Sequence, residues 1–170
     1  NPQTVVAQMG LKQGQVVADF GSGSGYFALA ASKMVGNTGT VYAVDVQQSK
    51  LTAVSSSATQ QGFKNIQLVQ ADLDQPIQGI ADASCDAVIM ASVLHEVKNR
   101  PMLLKNAYQI LKTGGLILTV EWKPEHTLFG PSQDQRIAEH QLEQELAKIG
   151  LHKVKSIPAD MAHYALVFQK

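Results

Sequence analysis

Three apolar stretches of this chain each close on an aspartate. VVAD ends at Asp19, YAVD at Asp45 and VQAD at Asp72, so the acids recur after 26 and then 27 residues. A strand, a helix and their connections take about that length, since a complete strand–helix–strand unit needs roughly 30 residues. The runs are short and valine-rich, and longer stretches with apolar residues at helical spacing separate them. This alternation predicts βαβ units and a mostly parallel sheet. In such a sheet ligands bind beyond the carboxyl ends of the strands. The periodicity therefore predicts that Asp19, Asp45 and Asp72 line one edge of one crevice.

The remaining elements follow from the same signals. NPQTVVAQMGL places Pro2 in a first helical turn, Val5, Val6 and Met9 at helical spacing, and Gly10 as a stop, which predicts a short packing helix. QVVADF is the first strand, followed by a helix to about Val35, and TVYAVDV is the second. QSKLTAVSSSATQQ predicts a helix ended by Gly62, and NIQLVQAD the third strand. LDQPIQGIADAS contains Pro76 and Gly79 and is expected to be irregular. CDAVIMAS is apolar enough for a strand buried on both faces. A helix starting near Pro101 is expected to run until Gly114 and Gly115, ahead of the strand GLILTVEW. Ser132 and Gln135 have the spacing of a capping box for a helix containing AEHQLEQELAKI. Only ADMA separates HKVKSIP from HYALVFQK, too little for a parallel crossover, so these last strands are expected to pair antiparallel.

At 170 residues the chain is expected to form a single domain over 1–170. Fourteen basic and fourteen acidic residues cancel, with no cationic stripe of the kind that tracks a phosphate backbone, so nucleic acid is not an expected partner. No apolar run approaches the roughly 20 residues of a membrane helix. The single cysteine, Cys85, lies in an apolar strand and predicts a buried reduced thiol, which suits the cytoplasm. His140, His152 and His163 fall in separate elements without metal-ligand spacing, so no metal site is expected. Lys50 and Lys105 are read as solvated.

The first strand runs into FGSGSGYFALA, a glycine turn leading into a helix. Glycine lets backbone approach a ligand because there is no Cβ to clash or to restrict φ. Gly23, Gly25 and Ala28 satisfy the dinucleotide pattern, and Asp45 follows Gly25 by twenty residues, where a ribose-binding acid would sit, so an NAD-dependent oxidoreductase is one reading. Asp19 argues for another. A carboxylate beside the turn repels a pyrophosphate and attracts a ligand bearing an ammonium. S-adenosylmethionine offers an ammonium, two ribose hydroxyls and an adenine amine, all donors that carboxylates accept.

With these motifs in order, from LKQGQVVADFGSGSG through LKTGGLILTVEWKP to the terminal hairpin, the chain resembles class I S-adenosylmethionine-dependent methyltransferases of the small-molecule, ubiquinone/menaquinone-like group. The resemblance implies a Rossmann-like α/β fold, a doubly wound seven-stranded sheet ordered 3-2-1-4-5-7-6 with strand 7 antiparallel. It also implies S-adenosylmethionine as cofactor and S-adenosylhomocysteine as product. By resemblance Asp19, Gly21, Gly23 and Gly25 surround the methionine moiety, Asp45 holds the ribose hydroxyls, Asp72 and the backbone of Leu73 meet the adenine, and the Ala91 carbonyl accepts from the ammonium. A binding module that holds the cofactor or its product without turnover would carry the same residues.

Methyl transfer needs an in-line nucleophile and, if that nucleophile must lose a proton, a base near the methyl group. His95 in SVLHEVKN, beyond the fourth strand, is the candidate catalytic residue, with Glu96 beside it. Glu121, Trp122, His126 and Phe129 would occupy the other wall, where either the aromatics shape an apolar substrate pocket or Trp122 simply packs at the sheet edge and His126 is solvated. Tyr26 either closes over the methionine moiety or starts a packed helix face. The place after the fourth strand reads MASVL, not the Asn/Asp-Pro-Pro-aromatic motif of many amino-modifying DNA methyltransferases. One cysteine cannot hold arsenite. The expected acceptor is a small molecule.

Overall fold

Cys85–Ala91 (β4) is the strand on which the sheet is built. The computed structural model describes residues 1–125 and 129–170. In it β4 pairs in parallel with Val16–Phe20 (β1) on one side and Leu111–Trp122 (β5) on the other. Thr40–Asp45 (β2) and Ile66–Gln70 (β3) extend the sheet beyond β1, again parallel. His163–Gln169 (β7) runs antiparallel between β5 and the edge strand His152–Ile157 (β6). The order is therefore β3-β2-β1-β4-β5-β7-β6, as the family resemblance implied.

Alternation along the central strands divides the core into two layers. Ala18 and Phe20 of β1 and Val88 and Met90 of β4 face Arg100–Ile110 (α4) and Glu139–Lys148 (α5), packing with Leu103, Leu104, Leu142 and Leu146. Val17, Ala87 and Ile89 face the other way, against Pro2–Met9 (α1), Tyr26–Val35 (α2) and Gln48–Gln60 (α3). Each fully buried aliphatic side chain contributes about 1.5 to 3 kcal/mol. A strand buried on both faces has little room for polar residues, which is why AVIM at 87–90 is wholly apolar, while half-buried Asp86 near the start of β4 accepts from the Val16 amide and the Lys112 ammonium.

Local chemistry sets the ends. Asn1 caps α1 by accepting from the Gln3 amide at 2.9 Å, and Gly10 closes it in the left-handed region. Two expectations need correction. The helix expected to run to Gly114 ends at Ile110, because Leu111 already pairs with Cys85 and the strand absorbs the glycines. The Ser132–Gln135 box is present but caps only the 3-10 turn Gln133–Gln135, and α5 begins later with Ala138 as an uncapped N-terminus. Cys85 is buried and its thiol is pushed up to about 11 by burial, which suits an inert packed sulfur. No helix among the described residues is long and apolar enough to cross a membrane.

Candidate functional site

The turn after β1 is held by its neighbours from both sides. Gly21 and Gly25 adopt φ of +69° and +88°, a region costly for residues with a Cβ. A Cβ on Gly21 would fall 2.5 Å from Val93 Cγ2, and one on Gly25 would fall 2.9 Å from Val54 Cγ2. At Gly23 the nearest atom to such a Cβ would be 4.0 Å away, so this middle glycine faces open space. That space is a cavity of about 560 Å³, lined by the turn and by the carboxyl ends of β1, β2, β3 and β4. Its size and its place in the sheet are those of a small-ligand site.

All three sequence-predicted aspartates line it. Asp19 is almost wholly buried, and its Oδ2 has no hydrogen-bond partner. Burial pushes its carboxyl up to about 8; the Ala28 amide opposes the shift and the charge of Asp45 adds to it. Asp45 braces the turn: Oδ2 accepts from the Gly23 amide and Oδ1 from the Gln47 amide, each at 2.9 Å. Each of its oxygens keeps a second lone pair. Asp72 is exposed at the rim and accepts from the Asp74 amide at 2.9 Å, which shapes the loop that brings buried Leu73 to the wall. Ala91 ends β4 on the same wall. Next to it Ser92 takes φ +55°, a left-handed conformation that costs about 1 kcal/mol or more in a non-glycine residue, pinned by its amide donating to the Val120 carbonyl at 2.7 Å.

His95 occupies a different position from the one its place in the sequence suggested. It does not line the cavity; its side chain is 7% exposed, and Nδ1 lies 2.7 Å from Oε2 of Glu121, which is itself buried. The other Glu121 oxygen accepts from the Leu94 amide at 2.8 Å. Burial lowers the imidazole pKa, but the hydrogen bond and charge of Glu121 and the charge of Glu96 outweigh it, and the net shift is upward. Glu96 is exposed and does line the cavity, with Oε1 4.0 Å from His95 Nε2.

The expected opposite wall is not assembled around the cavity. The Trp122 ring lies against His163, centroids 4.1 Å apart, with the Arg136 guanidinium 5.5 Å from it on the indole, so packing accounts for its position. Phe129 is exposed, and neither residue lines the cavity. His126 lies outside the described residues. Tyr26 stands exposed at the mouth.

Three features escaped the sequence reading. Ser22 lies within the glycine turn, and its buried Oγ, like Asp19 Oδ2, has no partner. Nothing in a lone serine signals this. Asp74 accepts from the Asn99 and Lys98 amides at 2.6 and 3.3 Å, joining the loops after β3 and β4 across the cavity rim. Lys50, read as solvated, is half-buried and, among the described residues, the one lysine on a wall carrying Asp19, Asp45, Asp72, Asp74 and Glu96.

These residues fit S-adenosylmethionine. Two unpartnered buried polar atoms beside one cavity each carry a penalty of about 1 to 3 kcal/mol that a polar ligand removes. The wall is acidic, matching a ligand rich in positive charge and donors and opposing a pyrophosphate.

A methyltransferase-domain family model matches residues 18–119. Among curated proteins, the ubiquinone/menaquinone biosynthesis C-methyltransferase UbiE of Marinomonas sp. (strain MWYL1) is 30% identical over 132 residues, 76% of this chain and 52% of the relative. UbiE of Haemophilus ducreyi is 34% identical, over 72% of this chain and 46% of the relative. The chain thus spans about half the length of the curated relatives it matches. A solved S-adenosylmethionine-dependent methyltransferase from Aquifex aeolicus superposes with a TM-score of 0.89 and 25% identity, covering 99% of this chain and 88% of that one. The cyclase SpnF shares the fold at a TM-score of 0.82 and 17% identity, over 99% of this chain and 80% of its own, so the fold alone does not fix a reaction. Matched from the middle of its first strand into its fifth, and with the sheet order and acidic glycine turn described above, the chain belongs to the class I S-adenosylmethionine-dependent methyltransferase family, in the ubiquinone/menaquinone-like group.

Proposed function

We propose that this protein transfers a methyl group from S-adenosylmethionine to a small, uncharged acceptor that carries an ionisable proton. The observation that carries the reading is the unpartnered, buried Asp19 Oδ2 beneath a glycine turn whose middle residue opens onto the cavity. In this reading Asp19 and the turn Gly21, Gly23 and Gly25 hold the methionine moiety, with the Ala91 carbonyl accepting from its ammonium. Asp45 uses its free lone pairs for the ribose hydroxyls, and Asp72 and the Leu73 backbone meet the adenine. Residues 1–170 act as one domain, since all seven strands join one sheet, and the free buried Cys85 suits the cytoplasm.

The cofactor supplies an activated methyl on a sulfonium, so the protein's work is placement, exclusion of water and proton removal. Asp19 and Asp45 fix the donor from one side, and Ser92 and Val93 shape the surface beyond Ala91. Glu96 and Asp74 at the rim repel an anionic acceptor and the sulfonium of the donor repels a cationic one, which is why the acceptor is assigned as uncharged. His95, next to Glu96, is the residue proposed to take its proton. The curated UbiE relatives methylate carbon in quinone biosynthesis, and a hydroquinone has the required neutral, acidic hydroxyl.

The test is incubation with methyl-labelled S-adenosylmethionine and a panel of hydroquinones, phenols, amines and carboxylic acids. Label appearing in a neutral proton-bearing acceptor supports the reading. Binding without transfer to any of them favours the second reading, a cofactor-holding module, which the absence of His95 from the cavity lining also favours. His95→Ala should lower turnover more than cofactor affinity, whereas equal losses would give His95 a structural role.

A further inference from the structure

A buried carboxylate beside an imidazole can serve two ends, clamping two strands or holding the ring ready to accept a proton. Glu121 does more than a clamp requires. One of its oxygens is committed to the Leu94 amide at 2.8 Å, which fixes the carboxylate plane. The other sits 2.7 Å from His95 Nδ1. A buried carboxylate is an acceptor only, so the hydrogen between them belongs to Nδ1 and the lone pair of the neutral ring belongs to Nε2. Nε2 lies on the side of Glu96, the only member of the three that reaches the cavity.

We propose that Glu121 is a positioning residue that fixes His95 as its Nδ1–H tautomer, and that Glu96 links Nε2 to the acceptor side of the cavity. The inference rests on the methyltransferase reading above and adds the path of the proton. The acceptor X–H passes its proton to Nε2 through Glu96 and one bridging water, since the 4.0 Å between Nε2 and Glu96 Oε1 exceeds a direct hydrogen bond. Where X itself is methylated, the electron pair left on X forms the new X–CH3 bond. In a hydroquinone methylated at carbon, the pair left on oxygen pushes a ring carbon to form C–CH3, and that carbon then gives up its own proton to solvent. In both, the pair of the breaking S–C bond returns to sulfur. The imidazolium formed is neutralised by Glu121, and the proton leaves to solvent through exposed Glu96.

Every charged group packed around the ring bears on this device. Glu121 comes from β5 and Glu96 from the loop itself. Arg100, at the start of α4, donates to the Leu94 carbonyl at 3.3 Å and opposes protonation of the ring, but its guanidinium is tied to Glu145 of α5 at 2.9 and 3.1 Å. Tyr164 on β7 is near enough to feel the Glu121 charge, yet its hydroxyl donates to the Ile137 carbonyl at 2.8 Å, and burial first, then Glu121, holds it neutral.

The test needs no acceptor. Nitrogen NMR of the 15N-histidine protein, with the His95 signals among the five histidines assigned through His95→Gln, reads tautomer and titration separately in complexes with S-adenosylmethionine and with S-adenosylhomocysteine. The two ligands differ by the sulfonium charge. An imidazole poised at the reacting carbon titrates lower in the sulfonium complex, by about 0.3 pH unit where water screens a charge roughly 10 Å away and by about 1 unit at an effective dielectric constant of about 20. A neutral ring in the Nδ1–H form, with that difference present, supports the proposal. Glu121→Gln should then lower the midpoint further and admit the Nε2–H form. Equal midpoints in the two complexes, or an Nε2–H ring in the unaltered protein, would overturn it, and this comparison stands even if Glu121→Gln fails to fold. Failure of both ligands to bind overturns the cofactor reading itself and the proposal with it.

Discussion

Gly21 and Val93 share a space that admits only one side chain. A methyl group on the glycine would sit 2.5 Å from Val93 Cγ2, and the backbone at Gly21 is already left-handed. The contact couples the turn after β1 to the loop after β4, the two walls between which the methyl group is proposed to pass.

Gly21→Ala should therefore carry two separable penalties, about 1 to 2 kcal/mol for the backbone and about 1 to 3 kcal/mol for the overlap. Chemical denaturation checks the sum, and Gly21→Ala combined with Val93→Ala separates the parts. The second change should return the overlap share relative to Val93→Ala alone and leave the backbone share. Full recovery would show that φ at this glycine is not constraining.

Asp19 is a carboxyl whose folded pKa, about 8, stands above its ordinary value of 3.8. Between those values the folded chain holds a proton that the unfolded chain has released, so stability falls as pH rises through this window and levels off above pH 8. Asp19→Asn removes the slope. The variant should match the parent near pH 4 and exceed its melting temperature increasingly up to about pH 8, while losing cofactor affinity. A parent-like dependence of Tm on pH in the variant would assign the slope to other groups.

The same carboxyl makes cofactor binding release protons. Near neutral pH most Asp19 side chains are protonated in the free protein, and a bound ammonium draws the group back to its ionised form. Calorimetric titration with S-adenosylhomocysteine at pH 7, in buffers of different ionisation enthalpy, should report release of close to one proton. No dependence on buffer would place the ammonium away from Asp19.

Asp45→Ala should weaken cofactor binding by about 1 to 3 kcal/mol, the cost of leaving buried donors unpaired. It also removes the acceptor for the Gly23 and Gln47 amides, so faster hydrogen exchange at those two positions should accompany the loss. Unchanged affinity would remove Asp45 from the site.

Much of the site was legible because it lies on regular elements. The 26- and 27-residue spacing of Asp19, Asp45 and Asp72 follows from strand and helix lengths, and it predicted their meeting at one cavity. The antiparallel β7 was legible from a four-residue gap. What sequence could not supply was side-chain direction in irregular segments. His95 sits in the loop between β4 and α4, where no periodicity says which way a ring points, and its partner Glu121 lies 26 residues away on β5. The capping box misplaced α5 because Ser132 and Gln135 do form their reciprocal bonds, but around a single 3-10 turn. Lys50 was misread because a lysine in a first helical turn looks solvated whatever cavity it borders.

The structure of the S-adenosylhomocysteine complex bears most directly on the account. The adenosyl group should occupy the cavity above Gly23, with the ribose hydroxyls within hydrogen-bonding distance of Asp45 and a donor from the ligand or one ordered water meeting Asp19 Oδ2. A ligand bound elsewhere, or one that leaves Asp19 Oδ2 as solitary as before, would contradict it.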